Sequence, residues 1–115
     1  MAFDVEPDGL VRLSWGPGVR ITEELAAAAM ARVDELNGDA EHPLLVSMTG
    51  TAELTRGARM VFARRCSASR IALLGSSAVD RVIANFALGV SAVPVPTRFF
   101  TSEPAAVSWL RRPAR

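Results

Sequence analysis

The run Leu44-Leu45-Val46-Ser47-Met48 constrains the fold more than any other stretch of the chain. It is apolar and too short for a helix. His42-Pro43 leads into it and Gly50 closes it, so it reads as a buried strand. A second run, Ile71 to Leu74, is continuously apolar, which suits a strand covered on both faces. The first run gives way to the small polar residues Thr49-Gly50-Thr51, then to Thr55 at the head of a helical pattern. Open α/β sheets place ligand and partner sites where a central strand, a polar loop and a helix start meet in this way.

The remaining elements fall around these two strands. Residues before Asp8 read as a loose lead-in, residues 1–8. Leu10 to Trp15 favours a strand, Gly16-Pro17-Gly18 a turn, and Val19 to Ile21 a second strand, which predicts an antiparallel hairpin. Thr22 is a good N-cap, followed by Glu23 and Glu24 where the helix dipole favours negative charge. Leu25, Ala29, Val33 and Leu36 recur at helical spacing until Asn37-Gly38 ends the helix. Ala58, Val61 and Phe62 mark the inner face of a second helix. Ser77 with Asp80 opens a third, with Val79, Val82, Ile83 and Phe86 inward. Val93-Pro94-Val95-Pro96 must be extended and lacks donors. Thr97 to Thr101 is the last strand, and Ser102 caps a final helix with Pro104 in its first turn.

At 115 residues the chain reads as a single domain, long enough to bury roughly two thirds of its unfolded surface. The order β-β-α-β-α-β-α-β-α predicts an α/β fold: a five-stranded mixed, mainly parallel sheet with about four flanking helices. Half the residues are hydrophobic and the net charge is +1, which argues against disorder and against a nucleic-acid binder working by bulk charge. The acidic start MAFDVEPDG does not read as a signal peptide. The apolar stretch Leu25 to Ala31 is far short of a membrane span, for which about 20 residues are needed. A single cysteine, Cys66, rules out a disulfide scaffold and suits a reducing compartment, so the expected location is cytoplasmic.

The hairpin start, the strand LLVSM with its polar loop, the strand RIALLG with its Ser-capped helix, and the ending PTRFFTSEPAAVSWL resemble the SpoIIAA-like, or STAS/SEC14-type, small bacterial domains. The likeness covers nearly the whole chain. It is most specific at Phe99 and Phe100, the Ser102-Glu103 helix start, and the Ala106, Trp109 and Leu110 face. The resemblance implies a regulatory or binding domain. STAS antagonists carry a phosphorylatable Ser or Thr after the central strand, which by position implies Thr49, Thr51 or Thr55 here. The Asp-x-Ser-Gly pattern itself is absent, and Ser47-Met48-Thr49-Gly50-Thr51 stands in its place.

The chemistry-bearing residues are few. His42 is the only histidine and precedes the strand instead of following it. With one His and one Cys the usual zinc constellations are missing, and Ser47, Ser76 and Ser77 have no evident base. Cys66 reads as a packed, inert thiol at a helix end that raises its pKa. No Gly-Lys-Ser/Thr phosphate loop is possible, because every basic residue is Arg. Arg56 and Arg59 are the informative oddity. They fall in the first turn or so of the second helix, where the dipole disfavours cations by about 0.3 to 1 kcal/mol each. Together with the Thr49 to Thr51 amides and the Gly75 to Ser77 loop they suggest recognition of an anion or acidic partner.

The expectation is therefore a non-enzymatic domain without cofactor or metal. It engages a protein partner or small anionic ligand through Thr49, Gly50, Thr51, Thr55, Arg56, Arg59, Ser76 and Ser77. The alternative is a small-molecule or lipid-binding domain with an apolar pocket between helices and sheet, lined by residues such as Phe86, Phe99, Phe100, Trp15 and Trp109. Exposed sheet edges also permit a homodimer.

Overall fold

A computed structural model describes residues 1–62, 67–76 and 95–112, with the side chain of Arg59 excepted. The elements are β1 (Ala2–Val5), β2 (Val11–Ser14), β3 (Arg20–Ile21), α1 (Glu23–Asn37), β4 (His42–Ser47), β5 (Glu53–Leu54), α2 (Arg56–Phe62), β6 (Ala68–Leu74), β7 (Thr97–Phe100) and α3 (Glu103–Leu110). The main sheet has five strands in the order β1-β2-β4-β6-β7, antiparallel at β1-β2 and parallel elsewhere, and β3 and β5 form a separate parallel pair. The mixed, mainly parallel α/β sheet is as expected. Three α-helices are described. The expected third helix, from Ser77 through Phe86, lies outside the described residues, as does Cys66.

The centre of the sheet explains the continuous apolar run. Side chains alternate across a strand, so Leu44, Val46 and Met48 join one core and Leu45 joins the other. The first core sits beneath α1 and α2 and includes Val11, Leu13, Ala26, Ala29, Val33, Ala58 and Val61. The second sits beneath α3 and includes Leu10, Ala72, Ala106 and Leu110. Fully burying a leucine contributes about 1.5–3 kcal/mol, so β4 is held from both sides and its register is fixed.

The helix boundaries follow local chemistry. Thr22 Oγ1 accepts from the Leu25 amide and Gly38, at φ +61°, ends α1. Ser102 Oγ accepts from the Ala105 amide at the head of α3. At the entry to β7, the Pro96 carbonyl accepts from the Ile71 amide at 2.9 Å, so pairing with β6 begins there through the proline's acceptor.

Two expectations are corrected. Residues 1–8 are not a loose lead-in, because Ala2–Val5 forms β1 and pairs with β2 from Ala2↔Ser14 to Val5↔Val11. The hairpin expected from Gly16-Pro17-Gly18 does not form. Both sides of β2 are already taken by β1 and β4, so Val19 to Ile21 has no edge to join. Gly16 and Gly18, at φ +86° and +75°, turn the chain off the main sheet instead, and Arg20-Ile21 pairs with Glu53-Leu54.

His42 marks the end of β4 remote from the polar loop. A Cβ on Gly9, which has φ +93°, would lie 2.4 Å from His42 Nδ1, so the imidazole packs directly on the β1-β2 turn. Among the described residues no helix is long and apolar enough to cross a membrane.

Candidate functional site

The candidate site begins where β4 and β6 end together. Ser47 is in register with Leu74, and the Met48 amide donates to the Leu74 carbonyl at 2.8 Å. Thr49 and Ser76 therefore each emerge two residues beyond a paired position, at one end of the sheet. Thr49, Gly50, Arg56 and Ser76 are exposed there.

The loop after β4 is built by the chain's own earlier turn. The Gly18 amide donates to the Gly50 carbonyl at 2.8 Å and the Ala52 amide to Val19 at 2.9 Å. The β3-β5 pair and a bond from the Thr55 amide to Ile21 at 3.1 Å continue this seam. An ion pair of Arg20 with Glu53 lies on its surface.

Two of the expected site residues, Thr51 and Thr55, hold the local structure. Thr51 is only 3% exposed. Its amide and its hydroxyl both donate to the Met48 carbonyl, at 3.0 and 2.7 Å. The amide cradle expected across Thr49 to Thr51 is thus broken at Thr51, whose donors already close a turn. Thr55 is half-buried and caps α2, its Oγ1 accepting from the Ala58 amide at 3.2 Å. Arg59 lies in α2, but its side chain is outside the described residues, and so is all of Ser77.

Sequence reasoning missed two features of this rim. Gly57 in α2 lies against the start of α1: a Cβ there would lie 2.8 Å from Glu23 Cβ and 2.9 Å from its Oε1. The chain's own carboxylate therefore already sits beside the first turn of α2, where an external anion was expected. Gly50, at φ +73°, lies over Pro17, with a Cβ there 3.4 Å from the ring. The glycines were visible in the sequence, but their partners, some 30 residues away, were not.

On the opposite face, Arg98 stacks over Phe100 and Trp109 at 5.2 and 5.8 Å, and Arg70 lies 5.4 Å from Trp109. Phe100 and Trp109 are 5.6 Å apart, centroid to centroid. Both rings pack against the second core, Trp109 from α3 and Phe100 from β7. Among the described residues no group of three or more His, Cys, Asp or Glu side chains is placed to hold a metal ion.

Farther from the rim, Glu6, Asp8, Arg12, Glu103 and Arg111 form a connected ion network joining the β1-β2 turn to α3. A hydrogen bond from Arg12 holds the Glu6 carboxyl below the usual range, aided by the charge of Arg111. The Leu10 amide does the same for Asp8, again with Arg111 adding to it. The guanidinium of Arg12 is pushed up in turn by its bond to Glu6.

Comparison with known proteins gives a family and, through one solved structure, a fold. The family model "Domain of unknown function (DUF7793)" matches residues 3–113. A protein with unknown function from Arthrobacter sp. FB24, solved as a crystal structure, is 58% identical over 95% of this chain and 97% of its own, with a TM-score of 0.40. An uncharacterized protein of the DUF3478 family from Shewanella loihica PV-4, described as having a SpoIIAA-like fold, is 15% identical. That match covers 95% of this chain and 90% of the other with a TM-score of 0.58, and it shows the SpoIIAA-like fold expected from the sequence. The comparison with curated proteins finds no match.

Proposed function

The chain belongs to the DUF7793 family, and from the rim described above we propose that it works as a non-catalytic binding domain for an acidic protein segment or small anion. The contact surface is formed by Thr49, Gly50, Arg56 and Ser76. Thr51 and Thr55 hold the loop and the helix start in place behind it.

One observation carries this reading. Arg56 is exposed at the start of α2, and among the described residues it has no carboxylate partner. A cation there works against the helix dipole, and an anion arriving from outside offsets that cost. Exposed Arg also offers a bidentate fork to carboxylate or phosphate. The placement of His42 against Gly9, at the far end of β4, supports binding over acid–base catalysis at this rim.

The test is calorimetric titration of the purified protein with a glutamate-rich peptide and, separately, with inorganic phosphate. Binding of either probe that is lost in Arg56→Glu supports the reading, and the two arms distinguish a protein segment from a free anion. Binding of neither probe, or binding unchanged by the substitution, removes it.

A further inference from the structure

Among the described residues β1 has β2 as its only neighbour in the strand order, which leaves the other side of β1 without a paired strand. The Glu6 amide donates to the Leu10 carbonyl at 2.9 Å, one step beyond the Val5↔Val11 pair. Antiparallel bonding alternates, so the even-numbered residues of β1 direct their backbone groups at β2, and Phe3 and Val5 direct theirs outward. Phe3 packs against the core beneath α1, and the period of two puts Val5 on that same face, with Met1 one step before the strand. Two large apolar side chains are exposed along this edge: Met1 at 52% and Val5 at 45%.

We propose that β1 pairs antiparallel with β1 of a second copy of this chain, about a two-fold axis through Phe3. In that register Phe3 faces its own copy and exchanges both outward backbone bonds with it. Met1 faces Val5 of the other copy, so the apolar residues of both strands form one continuous stripe. Ala2 faces Asp4. Charge selects this register over its neighbour, because moving the axis to Asp4 would set two carboxylates face to face. Moving it to Ala2 would take Val5 away from Met1 and Phe3 of the other copy. The pairing is isologous and closes at two subunits.

Asp4 tempers the association. Its Oδ1 accepts from the Val5 amide at 3.0 Å, covering one outward donor. A charged residue guarding an edge strand in this way limits pairing, and the dimer forms by exchanging that bond for the Met1 carbonyl of the other copy.

Sedimentation of the full chain across a concentration series tests the proposal. A monomer–dimer equilibrium is expected, weakened about tenfold or more by Val5→Lys and tightened by Asp4→Ala. Val5 is 45% exposed in the single chain, so the lysine should leave the thermal midpoint unchanged at concentrations too low for the dimer to form. In a Cys66→Ala background, oxidised mixtures of Ala2→Cys and Asp4→Cys proteins should cross-link faster than either protein alone, because those positions face each other only in this register. A chain that stays monomeric at the highest concentration reached overturns the proposal. So does a dimer whose mixed cysteine variants cross-link no faster than the single ones. Neither result bears on the Arg56 rim.

Discussion

The amide of Gly18 donates to the carbonyl of Gly50 at 2.8 Å, joining the first turn of the chain to the loop that follows the central strand. Gly50 has φ +73° and Pro17 in van der Waals contact where a side chain would begin. Gly50→Ala is expected to cost about 1–2 kcal/mol, chiefly from the left-handed backbone, read as a lower urea midpoint with an unchanged slope. An unaltered midpoint would mean that the loop can take another conformation.

Gly57 gives a result of opposite sign to helix propensity. Gly→Ala inside an exposed helix usually stabilises by about 1 kcal/mol. Here the new methyl would lie 2.8 Å from Glu23 Cβ, which is the near end of that side chain and cannot swing away. Overpacking of this kind costs about 1–3 kcal/mol, so Gly57→Ala should lower the thermal midpoint as α1 and α2 are forced apart.

Thr55 separates a capping role from a binding one. Thr55→Ala should lose about 1 kcal/mol of stability and Thr55→Ser should recover most of it, since serine caps equally well. A stability loss that serine does not restore would contradict the cap at Ala58.

The ion network around Glu6 makes stability fall on acidification. Both Glu6 and Asp8 have carboxyls held below their ordinary range in the folded chain. The folded state therefore binds fewer protons than the unfolded one in that window, and stability rises with pH through it. The contribution is complete above the unfolded carboxylate range, about pH 4, and is lost as pH falls through the folded values. Arg111→Ala, which removes a charge from both carboxylates, should flatten this acid-side slope in unfolding curves run between about pH 2 and 6.

The strands that the sequence made legible are those whose pattern is local. Leu44–Met48 and Ile71–Leu74 announce double-sided burial by continuous apolarity, and Thr22 and Ser102 announce helix starts through a side chain that caps within three residues. Ala2–Val5 was missed because most of its residues are exposed and its alternation, Phe3-Asp4-Val5-Glu6, is too brief to announce a strand. Arg20-Ile21 and Glu53-Leu54 are strands of two residues each, too short to carry a period, and only their mutual pairing makes them strands. The same limit applies to the candidate site. Exposure of Thr49 and Arg56 followed from their place after β4, whereas the burial of Thr51 and the approach of Glu23 to Gly57 depend on contacts across the fold.

The rim beyond β4 is tested most directly by mapping amide chemical shifts while a glutamate-rich peptide is added to the labelled protein. The expected result is a set of shifts confined to Thr49, Gly50, Arg56 and Ser76 and their neighbours, lost in Arg56→Glu. Shifts centred instead on Arg98 and Trp109, or a rim response that survives the substitution, would contradict it.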